Sequence, residues 1–492
     1  MSLTYDVTGY AIRERFLAGT VSASQIVSYY LNRIERFDPA IGGFVSLLKE
    51  RVTAKARKLD EKRERGEPLG RLAGVPVAVK DNIHIEGERT TCASAFLTDY
   101  TAPFSATAIK RIEEEDGLLI GKTNLDEFAM GSSTEYSALQ ATHNPWNVER
   151  VPGGSSGGSA VAVSAGLCPI ALGSDTGGSV RQPASFTGTV GFKPTYGRVS
   201  RFGLVAFCSS MDQIGPFAGS VRDIAMMMEV IGAHCRYDAT SMPLPPERYT
   251  EGLSGSLRGK KVGVPEEFLA HLDMPARTLF DRGLEWLRSL GVTVVTVYPK
   301  LLQHAIATYY ILSTAEASTN LSRFDGIRYG KRSRRGQSLD ALYDLSRADG
   351  FGKEVKRRIL LGTFVLSSGY REAYYKKAQK VRTLLIRECA TAFKECDVIA
   401  LPTTPTTAFP KHRFRSPVEM YLQDLFTVVA NLAGIPAISL PTMLDGEGLP
   451  GSIQLLGPQR CDGTLLHFAS ELEKTIPTKR FTPPPYAKEV AS

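Results

Sequence analysis

Apolar and polar positions along this chain follow two periods, and the two interleave from one end to the other. Residues 5–17 carry apolar side chains at helical spacing, and a second helix is expected over 25–37, where Ser22-Ala23-Ser24-Gln25 has the S-x-x-Q form of a capping box. A third helix, over 50–65, is so densely charged that it belongs at the surface. Then comes Gly74-Val75-Pro76-Val77-Ala78-Val79-Lys80, a near-continuous apolar run typical of strands covered on both faces of a parallel sheet. A helix over 107–115 and a strand over 118–121 follow, then a small-residue helix over 160–165 and a short buried strand over 168–172. A further helix starts near Val180, and Pro183 is expected to break it early. Strands at 190–193 and 215–217 and an apolar helix at 221–231 close this half.

The Pro-rich segment Met242-Pro243-Leu244-Pro245-Pro246 marks a break in the chain. Beyond it, strands at 261–265 and 292–298 flank a helix at 277–290, and a long helical region includes 305–322 and 355–396. Strand signals return at 398–401, 437–440 and 451–456, before a closing helix at 464–474. Strands alternating with helices over nearly the whole length argue an α/β fold. With 492 residues, one large domain or a core with a second lobe are both allowed.

Composition narrows the setting. A hydrophobic share of 43% is ordinary for a water-soluble chain, and no apolar run approaches the roughly 18 residues of a membrane span. The first residues, MSLTYDVTGYAIRERFLAG, lack the apolar core of a signal peptide, so a cytoplasmic protein without membrane association is expected. Seven scattered cysteines with no C-x-x-C pair argue against a disulfide framework and a structural zinc site. Seven equally dispersed histidines give no metal-ligand spacing, so no metal site is expected, and a histidine-based triad has no obvious members. The net charge of +8, with basic clusters at 51–65 and 331–335, is compatible with an RNA partner, but such runs are ordinarily solvated helix faces and decide nothing.

The chemistry concentrates between Val151 and Gly191. Two glycine-serine turns lie there, Gly153-Gly154-Ser155-Ser156-Gly157-Gly158-Ser159 and Asp175-Thr176-Gly177-Gly178-Ser179. Glycine tolerates conformations closed to other residues and lets backbone N–H groups approach a ligand. A serine hydroxyl is a poor nucleophile until a neighbour removes its proton. Without a persuasive histidine, the remaining base is a lysine whose proton affinity burial has lowered, and Lys80, at the end of an apolar strand, fits. Ser179 would attack, Ser155 would pass its proton, and Lys80 would accept it. Backbone N–H groups of Thr176, Gly177 and Gly178 would face the developing oxyanion. Two other motifs fail on context. Gly154-Ser155-Ser156-Gly157-Gly158 matches G-x-S-x-G with Ser156 as nucleophile, but the motif needs a strand immediately before it, where this chain has Val151-Pro152. The stretch 117–123 resembles a P-loop but has three residues between its glycines instead of four, so no nucleotide site is expected in this chain.

The G-G-S-S-G-G-S block, the D-T-G-G-S-V-R-Q-P block and the upstream V-A-V-K-D-N together resemble the amidase signature family. The family's Ser-cisSer-Lys triad maps onto Ser179, Ser155 and Lys80, with the two serines at the family's separation of twenty-four residues. The resemblance implies a single large α/β domain with a mixed central sheet covered by helices on both faces. Within it the chain would divide into a helical collar (1–70), a signature core (71–235) and a second part (236–492) with a helical insertion at about 303–396. Four further blocks bring the chain near the A subunits of the amidotransferases that serve glutamyl-tRNA(Gln) and aspartyl-tRNA(Asn). They are F-A-M-G-S-S-T-E (128–135), K-P-T-Y-G-R-V-S (193–200), D-G-I-R-Y-G (325–330) and Y-Y-K-K-A-Q-K-V-R (374–382).

This nearer resemblance implies a glutaminase whose ammonia, passing through an internal channel, converts Glu-tRNA(Gln) to Gln-tRNA(Gln), and possibly Asp-tRNA(Asn) likewise. It implies a heterotrimer with B and C subunits, ATP and Mg being used on the partner and no cofactor in this chain. Free glutamine carries a carboxylate and an ammonium, which asks for one cation and one anion in the pocket. By resemblance these are Arg357 or Arg358, with the choice open, and Asp424, and Gly131 and Ser132 also line the substrate. A stand-alone amidase acting on a small amide would share the triad, and a catalytically silent RNA-binding or scaffold protein would use the glycine-serine turns only as structure.

Overall fold

The apolar runs resolve into eleven strands of one mixed sheet in the protein's computed structural model, which describes residues 3–414, 416–478 and 480–487. In chain order they are β1 (Phe44–Leu47), β2 (Pro76–Lys80), β3 (Leu118–Thr123), β4 (Ile170–Asp175), β5 (Val190–Lys193), β6 (Gln213–Ala218), β7 (Lys261–Val264), β8 (Thr293–Thr296), β9 (Val398–Pro402), β10 (Ala437–Leu444) and β11 (Pro450–Leu456). Their spatial order is β1-β3-β2-β4-β6-β5-β10-β11-β9-β7-β8, so the sheet takes strands from both sides of the Pro-rich segment. Strands β3, β2 and β4 run parallel, as do β9, β7 and β8 at the other end, and antiparallel pairs join the two groups.

Successive side chains of a strand point to opposite faces, and here each face has its own core. Val77 and Val79 of β2, Leu119 of β3, and Ile170 and Leu172 of β4 enter one apolar cluster. Ala78, Leu118, Ile120 and Ala171 enter the other. That second cluster is filled by helices α1 (Gly9–Leu17), α2 (Ala23–Ile41) and α3 (Lys49–Glu64), through Phe16, Ile26, Tyr30, Ile34 and Leu59. The first face is covered by α4 (Thr107–Glu114) and, further along the chain, by helices of the carboxyl-terminal half.

Two short helices rise from the glycine-serine turns: α5 (Gly157–Ser164) and α6 (Arg181–Thr187), both buried along their whole length. They are followed by α7 (Val221–Ile231), α8 (Met274–Ser289), α9 (Ala305–Asn320), α10 (Leu339–Gly350), α11 (Lys353–Leu366), α12 (Lys377–Ala392), α13 (Pro417–Tyr421), α14 (Val428–Ala433) and α15 (Asp462–Thr475). Helices α9 and α11 pack closely, because a methyl group at Gly362 would lie 1.9 Å from the Thr314 carbonyl oxygen.

The expected capping box forms: Gln25 N–H donates to Ser22 Oγ at 3.0 Å and Ser22 N–H to Gln25 Oε1 at 2.9 Å. Three readings are corrected. Pro183 does not break its helix, because it is the third residue of α6, within the first turn, where backbone N–H groups have no helical partner to lose. The run 355–396 is two helices, separated at Ser367, whose backbone is extended, and Gly369, whose φ of +85° no α-helix accommodates. Strand β1, at the sheet edge against β3, was not anticipated; four residues of which three are half-buried give too little alternation to stand out.

Arg33 of α2 is fully buried and donates from Nε to Gly166 O at 2.9 Å and from Nη2 to Ala165 O and Tyr486 O, each at 3.0 Å. It thus closes the carbonyl end of α5, the helix that leaves the first glycine-serine turn. Replacing Arg33 with Ala is expected to cost about 3 kcal/mol or more by stranding these buried carbonyls, read as a lowered thermal unfolding midpoint. An unchanged midpoint would show that water or the neighbouring helices satisfy them instead.

Candidate active site

The parallel strands β2, β3 and β4 end at one edge, the position where open α/β sheets place their chemistry. Lys80 is the last residue of β2 and, two residues beyond Ala78, lies on the face of the sheet that α5 covers. Its side chain is fully buried, with Nζ 2.8 Å from Ser155 Oγ, 2.8 Å from Ser156 Oγ and 2.9 Å from Ser174 Oγ. Burial disfavours the charged amine and lowers its pKa to about 7, against the opposing pull of Asp126, Asp175 and Asp212.

The three hydroxyls are not equivalent. Ser156 donates its proton to Ser174 O at 3.1 Å, and Ser174 Oγ accepts from Asn82 Nδ2 at 2.9 Å. Ser155 accepts from the Lys80 amine and donates to no group among the described residues, so the lone pair of a neutral Lys80 would be available to the Ser155 proton. Ser156, the nucleophile of the rejected G-x-S-x-G reading, is fully buried and spans Lys80 and β4; residues 151–155 before it form no strand.

The first turn is fixed from three sides. The Gly154–Ser155 peptide is cis. Gly154 N–H donates to Gln182 Oε1 at 2.8 Å, and Gln182 Nε2 donates to Ser132 O at 2.7 Å, so α6 holds the turn from across the site. Thr134 Oγ1 donates to Gly153 O at 2.7 Å, and Asp126 N–H to Ser155 O at 3.1 Å.

The second turn is organised by Asp175, the last residue of β4. Its carboxylate accepts from Gly178 N–H at 3.0 Å, Val180 N–H at 3.1 Å, Asn431 Nδ2 at 2.9 Å and the Arg181 guanidinium at 2.9 and 3.1 Å. Burial alone would raise its pKa, but Arg181 outweighs it and holds the group at about 2. The expectation that Gly178 donates to an oxyanion is therefore corrected: its N–H is already engaged by Asp175. The N–H groups of Thr176, Gly177 and Ser179 have no acceptor among the described residues. Gly178 has a φ of +138°, open to glycine, and Gly177 packs so closely on Tyr309 that a methyl group there would lie 2.5 Å from the phenol oxygen. Ser179 is 8% exposed, whereas Ser155 and Lys80 are fully enclosed. No hydrogen bond joins Ser179 to Ser155 among the described residues.

The remaining expected residues gather beside this turn. Thr427 Oγ1 donates to Gly177 O at 2.6 Å and to Asp424 O at 3.1 Å, tying the Asp424 segment to the second turn. The Asp424 carboxylate accepts from Ser132 Oγ at 2.9 and 3.0 Å and from Tyr310 OH at 2.9 Å. Burial raises its pKa to about 7, partly offset by those two donors and Arg358. Gly131 lies against Asp126.

The two candidate arginines separate clearly. Arg358 is buried, donates through Nε to Glu354 Oε1 at 2.8 Å, and sits 5.3–5.5 Å from the ring centroids of Tyr310, Tyr421 and Phe207. Its Nη atoms donate to no group among the described residues. Arg357 points outward, its side chain 45% exposed, and pairs with the other oxygen of Glu354. Sequence reasoning did not find Ser174, Asn82, Tyr309, Tyr310, Glu354 or Tyr421. Of these, Asn82 carried a signal as the last residue of the V-A-V-K-D-N block, and Ser174 adjoins Asp175 at the start of the second.

A family model described as Amidase matches residues 25–466. Over 472 residues the chain is 53% identical to the A subunit of glutamyl-tRNA(Gln) amidotransferase of Protochlamydia amoebophila, covering 96% of each. It is 50% identical over 473 residues to the protein of that name from Fusobacterium nucleatum, covering 96% of this chain and 97% of the relative. The crystal structure of the A subunit of glutamyl-tRNA(Gln) amidotransferase from Thermotoga maritima superposes with a TM-score of 0.82 at 40% identity, over the full length of both chains.

A methyl group at Gly177 would run into the Tyr309 ring, so Gly177→Ala should displace the turn and lower the rate of amide hydrolysis by ~100-fold or more, about the effect of losing one oxyanion donor. A variant that folds and keeps wild-type turnover would remove Gly177 from the site.

Proposed function

The chain belongs to the amidase signature family, and from that premise we propose that it is the glutaminase subunit of a tRNA-dependent amidotransferase. It hydrolyses glutamine to glutamate and ammonia, and the ammonia converts Glu-tRNA(Gln) to Gln-tRNA(Gln). The observation that carries this reading is the 53% identity, over 96% of both chains, to the A subunit of a glutamyl-tRNA(Gln) amidotransferase.

In the proposed mechanism the neutral Lys80 amine takes the Ser155 proton, Ser155 Oγ takes the Ser179 proton, and Ser179 Oγ bonds to the side-chain carbonyl carbon of glutamine. The carbonyl oxygen becomes an oxyanion facing the N–H groups of Thr176, Gly177 and Ser179. The proton held on Lys80 returns through Ser155 to the amide nitrogen, the C–N bond breaks, and ammonia leaves a glutamyl ester on Ser179. Water then adds to the ester carbon, giving its proton to the same relay. The tetrahedral species collapses by breaking the bond to Ser179 Oγ, which recovers a proton from Ser155, and glutamate is released.

Recognition of free glutamine falls to opposite charges. Arg358, with unengaged Nη atoms and a guanidinium stacked among aromatic rings, takes the α-carboxylate, and Asp424 takes the α-ammonium. Ser132 and Tyr310 orient the Asp424 carboxylate, and Gly131 shapes the loop that carries Ser132. Amidation of the tRNA-borne carboxylate, with its ATP and Mg, takes place on the B subunit of the complex, which the C subunit completes. Asp-tRNA(Asn) would enter by the same route. No helix among the described residues is long and apolar enough to cross a membrane.

Three measurements test this reading. Ser179→Ala should reduce ammonia release from glutamine by ~1,000-fold or more, as loss of a nucleophile does, and unchanged release would reject the nucleophile. Arg358→Ala should raise the KM for glutamine by about 10- to 100-fold, the range of one charge-assisted contact, while Arg357→Ala stays within about threefold; the reverse order would reassign the carboxylate site. The third uses pH, since kcat/KM reports the ionisation of the free enzyme. Lys80 must be neutral and Asp424 charged, and both ionise at about 7. Activity on glutamine should therefore fall below neutrality with a slope approaching two in log units per pH unit, and on a small amide without an ammonium with a slope of one. Equal slopes would exclude Asp424 from binding the ammonium.

A further inference from the structure

We infer that Asp126 is a positioning residue of this site: its carboxylate holds the loop against which Ser155 is set and supplies the negative charge that balances the Lys80 amine. The inference rests on the reading of Lys80 as terminal base. It starts from an anomaly. Asp126 follows β3, opens the short helical turn Glu127–Ala129, and is fully buried, yet no cation forms an ion pair with it among the described residues. A buried carboxylate in that state is costly unless it has a role that retains it.

Its contacts explain the retention. Oδ2 accepts from Thr134 N–H at 2.9 Å and from Ser133 N–H at 3.3 Å, and Oδ1 accepts from Tyr136 N–H at 3.1 Å. Its own N–H donates to Ser155 O at 3.1 Å. The loop so gathered, residues 131–136, reaches each part of the site: Ser132 Oγ donates to Asp424, Ser132 O accepts from Gln182, and Thr134 Oγ1 donates to Gly153 O. Two backbone segments press on the carboxylate itself. A methyl group at Gly154 would lie 2.2 Å from Asp126 Oδ2, and one at Gly131 would lie 2.3 Å from Asp126 Cγ. The glycine of the first turn and that of the F-A-M-G-S-S-T-E block are thus small for the same reason.

Four ionisable groups face Lys80: Asp126, Asp175, Asp212 and Cys92. Asp175 is neutralised by Arg181 at 2.9 Å, and burial pushes the Cys92 thiol well up, leaving it uncharged. Asp212 is spread over Thr176 Oγ1 and the N–H groups of Phe207 and Cys208. Asp126 accepts from backbone N–H groups alone, and of the four it acts most strongly on the amine. Around Asp126 the other charged groups are Lys80 and Glu135, the latter bonded by the His412 N–H at 2.9 Å. Removing the Asp126 charge makes the Lys80 proton easier to lose, so the acidic limb of the rate profile moves to lower pH.

The test is a pH profile of ammonia release by the assembled amidotransferase from a small primary amide without an ammonium, whose acidic limb reports Lys80 alone. Asp126→Asn should lower kcat by about tenfold or more and move the acidic limb of kcat/KM down by about one pH unit, the size of one close opposite charge. A merely structural role lowers kcat without moving the limb, so a limb within about 0.2 unit of wild type overturns the inference. Gly131→Ala serves where Asp126→Asn does not fold: the atoms its methyl would meet first are those of the Asp126 carboxylate, so kcat should fall about tenfold with the limb in place. Retention of wild-type kcat by Gly131→Ala overturns the positioning role. Lys80→Ala is measured alongside. If it stays active, the reading of Lys80 fails and this inference with it; if it is dead and Asp126→Asn leaves the limb unmoved, only this inference fails.

Discussion

The site depends on one buried amine. An isolated ammonium taken out of water is costly enough that the group ordinarily gives up its proton instead. Lys80 sits with its nitrogen 2.8–2.9 Å from three serine oxygens and no exposed surface, and its pKa falls to about 7. The three hydroxyls come from two chain segments, residues 155–156 and the end of β4, and the lysine from a third, the end of β2. Only a parallel pairing brings these ends together, and the register that sets Val79 beside Leu172 does so. The arrangement of the first half of the chain, with strands β3, β2 and β4 side by side and α5 laid over their ends, is what a neutral amine within reach of a serine proton requires.

How much of this could be read from the sequence follows from how local each signal is. Lys80, Ser155 and Ser179 stand in short blocks where chain order and chemistry coincide, and they were legible. Tyr309, Tyr310, Glu354 and Tyr421 come from α9, α11 and α13, more than a hundred residues further on, and no spacing connects an aromatic residue in one helix with a glycine turn in another. Arg357 and Arg358 were not distinguished in the residues, and the structure buries Arg358 while leaving Arg357 exposed. The buried positions of α11 are Glu354, Val355, Arg358, Gly362 and Val365. Arg358 stands three residues after Val355 and four before Gly362, on the same face, and Arg357 is turned about 100° away. The sequence alone would not have separated them, because Leu360, Leu361 and Phe364, the apolar residues that share a face with Arg357, are exposed.

The second glycine-serine turn teaches a similar lesson about what glycine blocks do not say. A run of backbone N–H groups at a helix entry reads as a set of equivalent donors. Once folded, the carboxylate that precedes the run takes Gly178 N–H and Val180 N–H for itself, and the free donors become Thr176, Gly177 and Ser179. The signal was in the block, because an Asp three residues before a glycine at a helix start is placed to accept that N–H. What could not be read was Thr427, whose hydroxyl secures the Gly177 carbonyl from the far end of the chain.

Asp175, Asp126 and Asp424 are the same side chain in one buried region, yet they ionise at about 2, 6 and 7. Burial raises all three; the difference is the compensation each receives. Asp175 has a guanidinium at 2.9 Å, so the second turn that it organises keeps its shape throughout the pH range in which Lys80 changes charge. Asp126 has backbone N–H groups instead of a cation, and stays anionic in the upper part of that range. Asp424 has two hydroxyls, the weakest of the three settings, and is left with proton affinity close to that of Lys80 itself. A ligand ammonium arriving at Asp424 would supply the charge that the protein withholds there, lowering its pKa and committing it to the anionic form. Under the proposed function, the substrate would complete the electrostatics at the outer carboxylate, while the inner two would hold the turn and the amine ready before it binds.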